Sequence, residues 1–366
     1  MSKPRNRVQD LEGIKGITSI LIVYFHIWAL CGFTGFSAVL NAVVSNFDSG
    51  VRLFFMLSAF GLLSGYEERL FESEESIKNF YIKRFCKLAP MFYVVMLIQM
   101  TINYFYNVHY TGTQLAITSS LLFDLLPGNQ EMIVVGSWAV GIEWLFYIAF
   151  PLFLVIVKSQ YMFIIASLGS LIITLGYGSI INNLEYPNTH INILIYLSYF
   201  FAGALVYKFV PFLERIKKKY DGILKYIRFP FLLCTLALSI FLTKIVSRDL
   251  GMLVGFALVI GFAVLGYSRI INNRLTRFIG RISYSIYLVH ALIIQLFDKV
   301  GIIDFLRSYI NNQYIAYFFT GVTIVVVTGI ISYFTTKYIE EYLGKKMIYF
   351  FTRKQKGKSN KVSRME

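Results

Sequence analysis

Long apolar runs alternate with short polar connections along nearly the whole chain. Ten runs are long enough to predict membrane-spanning helices, near 14–34, 51–66, 88–107, 133–157, 161–181, 191–209, 229–246, 250–266, 279–298 and 313–336. The second and eighth are the shortest. No hydrophilic stretch exceeds about thirty residues, so any chemistry belongs in the helical bundle or at its mouths. The expected fold is an all-α integral membrane protein of about ten transmembrane helices. It divides into a polytopic domain over 1–336 and a basic cytoplasmic tail over 337–366. No repeat of solenoid period is visible.

Composition strengthens this picture. The chain has 366 residues, is 57% hydrophobic and has a mean hydropathy of +0.62, above what a solvated domain tolerates. The net charge of +15 points to membrane topology rather than nucleic acid once its placement is followed. Taken in alternate connections, 29 of the 35 Lys and Arg fall on one side of the predicted bundle and 4 on the other, with Lys15 and Arg52 inside spans. That bias places both termini in the cytoplasm. The tracts 214–228 and 353–364 then face anionic headgroups or solvent, and no nucleic-acid partner is expected. The first span is too long, and too interrupted by Lys15 and His26, for a cleaved signal peptide. Cys31, Cys86 and Cys234 are scattered and predict neither a disulfide framework nor a metal site. An Ile-, Lys- and Asn-rich composition fits an AT-rich bacterial genome, and hence the cytoplasmic membrane of a bacterium.

Ionisable groups at membrane depth are costly, which makes each one a functional candidate. Lys15 and His26 lie eleven residues apart, an offset of about 20° on a helix and roughly 16 Å along its axis. One face therefore carries a cation at the inner mouth and a base at depth, although Lys15 alone would serve as a snorkelling topology anchor. His290 follows Tyr287 on one face of the ninth predicted span, where an interhelical hydrogen bond is the plainer role. His109 and His190 fall in outer connections. Glu143 sits mid-span between Trp138 and Trp144 and calls for a partner, with Arg52 or a histidine the economical choices. Lys83, Arg84 and Lys87 crowd the entrance of the third span before Pro90, an arrangement suited to phosphate and equally to topology.

Taken together the motifs resemble the acyltransferase-3 family of integral membrane O-acyltransferases. "EGIKGITSILIVYFHIW" resembles its opening, with a basic residue eleven positions before a histidine. "GVRLFFMLSAFGL", "FYIKRFCKLAP", "SWAVGIEWLFYIAFP" and "IGRISYSIYLVH" resemble four further blocks, in order, from residue 11 to about 294. Lys15 stands where the family has Arg, and Ala59 where it has Gly in a Ser-Gly-Phe element.

The resemblance implies O-acetyl transfer from cytosolic acetyl-CoA, or another acyl-CoA, used as substrate with no resident cofactor or metal. Lys15, Arg84 and Lys87 would meet the donor phosphates, and Arg52 would hold the acceptor or pair with Glu143. His26 would act as general base or transient nucleophile, supported by Glu143 and His290. The implied acceptor is a carbohydrate of the cell envelope, either polysaccharide or glycolipid. A proton-coupled transporter using the same His and Glu as a relay is the rival from another class.

Overall fold

A computed structural model describes residues 4–33, 35–125, 132–182, 192–265, 271 and 273–352. Among them there is no strand. The helices are α1 (Pro4–Leu30), α2 (Ala38–Ser45), α3 (Gly50–Tyr66), α4 (Glu74–Phe105), α5 (Gly112–Ser120), α6 (Trp138–Lys158) and α7 (Gln160–Asn182). They continue as α8 (Ile193–Ile245), α9 (Arg248–Val264), α10 (Arg274–Arg281), α11 (Ser283–Lys299), α12 (Ile302–Tyr309) and α13 (Gln313–Thr335). A 3₁₀ turn at Asn46–Ser49 joins α2 to α3, and a π-turn at Thr336–Leu343 extends α13 into further helix through residue 352.

Seven helices among the described residues are long and apolar enough to cross a membrane, or eight if Arg274–Arg281 and Ser283–Lys299 count as one broken span. The sequence led to a count of ten, and the departures have local causes. The sixth and seventh predicted spans follow one another in α8, whose 53 residues are two helices run together across a kink. The connection between them carries four Lys, two Arg and two Leu, all good helix formers. Its only non-helical residue is Tyr220 (φ −124°, ψ 25°), just before Asp221 and Gly222. The eighth predicted span, α9, has 17 residues and is short for a crossing. His190 and the basic tract 353–364 lie outside the described residues.

The chain divides into two compact units. The first holds residues 1–67, 124–130 and 152–283; the second holds 68–123, 131–151 and 284–366. In the first unit α1 packs on α10, α3 on α8, and α8 on α7 and α9. Its core is aromatic, with Phe55 set against Tyr196 and Phe200 at 5.1 and 5.2 Å between ring centres. In the second unit α4 packs on the π-turn, and Phe80 stacks on Phe150 at 5.2 Å.

Helix α13 shows the reverse of a soluble helix. Ala316, Thr320, Gly321, Thr328 and Ser332 are buried together with the larger Tyr317 and Ile324, while Phe318, Phe319, Val326, Ile330 and Phe334 are exposed. Small and hydroxylated residues turned inward, with large apolar ones outward, are what a lipid solvent selects.

Candidate functional site

In the first unit α1 is one uninterrupted helix, so Lys15 and His26 do share a face as their spacing requires. Lys15 Nζ pairs with Glu12 Oε1 at 3.0 Å, one turn back. This turn is held against α10 by two glycines. A Cβ on Gly16 would lie 2.2 Å from the Thr276 carbonyl oxygen, and one on Gly280 would lie 1.9 Å from that of Glu12. Only hydrogen at both positions lets the two backbones meet. His26 Nδ1 is 2.9 Å from the carbonyl oxygen of Ile22. A carbonyl has no proton to give, so Nδ1 is the donor, and the neutral ring carries its lone pair on Nε2. Phe25 meets the imidazole edge-on at 5.1 Å.

Gly50 brings the start of α3 to the same part of α1. A Cβ there would lie 2.7 Å from Thr18 Cγ2 and 3.1 Å from Ile22 Cγ1. The 3₁₀ turn that precedes it therefore presents Asp48 near the His26 turn, and the Asp48 charge acts on the imidazole. Arg52, one turn into α3, lies between two carboxylates. NH1 is 3.5 Å from Asp48 Oδ2, and Nε is 3.4 Å from Asp249 Oδ1. The charges meet, yet the buried Nε–H makes no hydrogen bond, because it is not directed at the oxygen. The guanidinium also lies 5.8 Å from the centre of the Tyr196 ring. Tyr199 donates to Asp249 Oδ1 at 2.7 Å. Arg248 donates to Asp48 Oδ1 at 2.5 Å and to Asn46 Oδ1 at 3.1 Å.

The second unit holds Arg84, Lys87, Glu143 and His290. Glu143 accepts a hydrogen bond from Tyr147, one turn on along α6. Arg84 lies 5.4 Å from the centre of that same ring and 5.7 Å from that of Phe80. Tyr147 thus links the third-span cation to the fourth-span acid. Phe85 and Trp144 meet at 5.6 Å on the same pair of helices. His290 is fully buried, with Nδ1 3.1 Å from the Ile286 carbonyl, the same arrangement as His26. Its neighbour Tyr287 donates to the Gly136 carbonyl at 2.6 Å.

A second carboxylate completes this unit. Glu340, on the π-turn, accepts from Ser285 and, at 3.3 Å, from Thr336, and the Lys87 charge acts on it. Pro90 cannot donate to the Cys86 carbonyl one turn earlier. Gly344 approaches that oxygen closely: a Cβ there would lie 2.8 Å away. Two residues on, the Leu88 carbonyl accepts from Tyr284 at 2.8 Å. Tyr284 feels both Glu340 and Glu143.

Comparison with known proteins now bears on this arrangement. The family profile described as "Acyltransferase domain" matches residues 8–334. The chain belongs to the acyltransferase-3 family. The matched span includes Lys15, His26, Arg52, Arg84, Lys87, Glu143 and His290, and ends before Glu340. A relative from Acidianus two-tailed virus, named "Putative acetyltransferase ORF330", is 24% identical over 309 residues, which are 82% of this chain and 87% of that protein. No solved structure matches.

Within this acyltransferase-3 chain, several site residues escape a sequence-only search. Tyr147 and Asp48 had a local signal, since each stands four residues from a candidate on a helix or its leading turn. Asp249 had none, because 197 residues separate it from Arg52. Glu340 continues a run at 320, 324, 328, 332 and 336 with a spacing of four. A straight α-helix would rotate such a run steadily around its axis. The wider π-turn winds part of that rotation back, so Glu340 stays beneath Thr336.

Proposed function

We propose that this protein is a membrane O-acyltransferase, moving an acetyl or other short acyl group from cytosolic acyl-CoA to a hydroxyl of an envelope carbohydrate or glycolipid. Ten spans, cytoplasmic termini and a bacterial cytoplasmic membrane are part of the proposal. Family membership makes acyl transfer the expected chemistry, and His26 carries the residue-level reading. Its Nδ1–H is occupied by the Ile22 carbonyl, which leaves the Nε2 lone pair to act as base. In the step, Nε2 takes the acceptor hydroxyl proton while that oxygen attacks the thioester carbonyl. The C–S bond then breaks, and the imidazolium returns the proton to the thiolate as CoA-SH. In the first unit Lys15 is proposed to supply positive charge for the donor phosphates; in the second, Arg84 and Lys87 are proposed for that role and Glu143 and His290 as catalytic groups. The alternative chemistry, in which Nε2 takes the acyl group before the acceptor arrives, uses the same atom.

Purified protein in lipid with radiolabelled acetyl-CoA tests this. His26→Ala is expected to cut label transfer at least about a hundredfold, the usual weight of a general base, with membrane expression retained. Transfer that survives the substitution overturns the assignment. Absence of any His26-dependent thioester consumption would favour the proton-coupled transporter.

A further inference from the structure

A cluster of charged and polar side chains surrounds Arg52 in the first unit. It gathers Asn46 and Asp48 from the 3₁₀ turn, Arg52 from α3, Tyr196 and Tyr199 from α8, and Arg248 and Asp249 from the start of α9. We propose that this cluster is the acceptor subsite of the transferase, and that it takes an uncharged polyhydroxyl face, a neutral sugar, in preference to a phosphate or uronic acid. The proposal rests on the role given to His26 above.

Charge balance carries the preference. Two guanidiniums face two carboxylates, so the cluster is neutral in sum. Arg52, with a side chain only 14% exposed, already has a carboxylate on each side. An incoming anion would gain little from a compensated guanidinium and would meet Asp48 and Asp249 at short range. A hydroxyl meets no such penalty. Each carboxylate has about four acceptor sites, more than its present neighbours occupy. Asp48 and Asp249 remain 28% and 29% exposed, and so are open to a ligand. Tyr196 and Tyr199 are fully buried and the Arg52 Nε–H is enclosed, so a ligand meets the cluster at Asp48, Asp249 and the 43% exposed Arg248. The 3₁₀ turn that carries Asp48 packs on α1, and Gly50 behind it meets Thr18 and Ile22, one turn from His26, so a hydroxyl held at Asp48 lies toward the His26 part of that helix.

The test uses the full chain in lipid nanodiscs with three soluble probes: methyl β-D-glucopyranoside, methyl β-D-glucuronide and glucose 6-phosphate. Label from acetyl-CoA is expected in the neutral glycoside at least about tenfold above either anion. Asp249→Asn should raise the KM for the glycoside about tenfold or more, the weight of a hydrogen bond to a charged group. The KM for acetyl-CoA should rise by much less, so that the ratio of the two constants changes at least about fivefold. A purely structural Asp249 would move both together. Tyr199→Phe, which removes one donor to Asp249 and keeps the ring, should raise the glycoside KM by less and controls for misfolding. Direct binding of tritiated methyl glucoside separates the two claims. Sugar binding that Asp249→Asn abolishes, in a protein that never consumes acetyl-CoA, keeps the subsite and removes the acyltransferase. Preference for either anion, or unchanged glycoside KM and binding in Asp249→Asn, overturns the subsite.

Discussion

Lys15 and Glu12 are both partly exposed and stand one turn apart, and such pairs contribute only about 0.3–0.5 kcal/mol to a helix. The stability role of Lys15 is therefore small enough to be separated from any role in binding. Lys15→Ala should leave the melting temperature almost unchanged and raise the KM for acetyl-CoA about tenfold, while Lys15→Arg should keep most of the activity, since charge is retained. Steady-state kinetics on the three proteins checks this; equal KM values would reduce Lys15 to a topology anchor. His26 and His290 each spend Nδ1 on a carbonyl four residues back. In both cases the helix itself fixes which ring nitrogen carries the proton.

At the scale of elements, backbone contacts between helices place these side chains. Gly16 and Gly280 lock α1 to α10 at the turn carrying Glu12 and Lys15, and a Cβ on Gly280 has only backbone to displace. Gly280→Val should destabilise the protein by about 1–3 kcal/mol, as overpacking does elsewhere. A fluorescence-detected thermal melt reads it, with Gly61→Ala as a control, since nothing lies within 4 Å of a Cβ there. Both glycines belong to blocks that the sequence displayed, in "EGIKGI" and "IGRISYS", but their mutual contact did not. Periodicity and hydropathy report an element's own solvent; they carry no information on which distant element fills the space beside it. The same limit hid Asp249 from Arg52, whereas Tyr147, four residues from Glu143, was within reach of helical geometry. The kink in α8 falls at Tyr220, inside the charged stretch between the two predicted spans, so there composition did mark the break.

For the whole molecule, the asymmetry of Lys and Arg orients the chain. If the side bearing 29 basic residues is cytoplasmic, a cysteine placed at Ser359 in a cysteine-free background should resist a membrane-impermeant maleimide in intact cells. One placed at Thr113 should react. Labelling the other way round would invert the bundle and move the donor phosphates to the opposite face. The family match covers residues 8–334 and so runs through both compact units. One unit carries His26 with a neutralised charge cluster, and the other carries His290, Glu143 and Glu340 with the third-span cations.

The π-turn at Thr336–Leu343 has a bearing on how relatives should be aligned. Such a turn differs from ordinary α-helix by a single inserted residue's worth of backbone. A gap of one position there would leave every neighbouring residue type intact while swinging the downstream acid to another side of the helix. Two homologues that both show Glu in this block are thus not equivalent unless their lengths across it agree, and a genetic screen limited to substitutions would overlook the most disruptive change, a one-codon deletion.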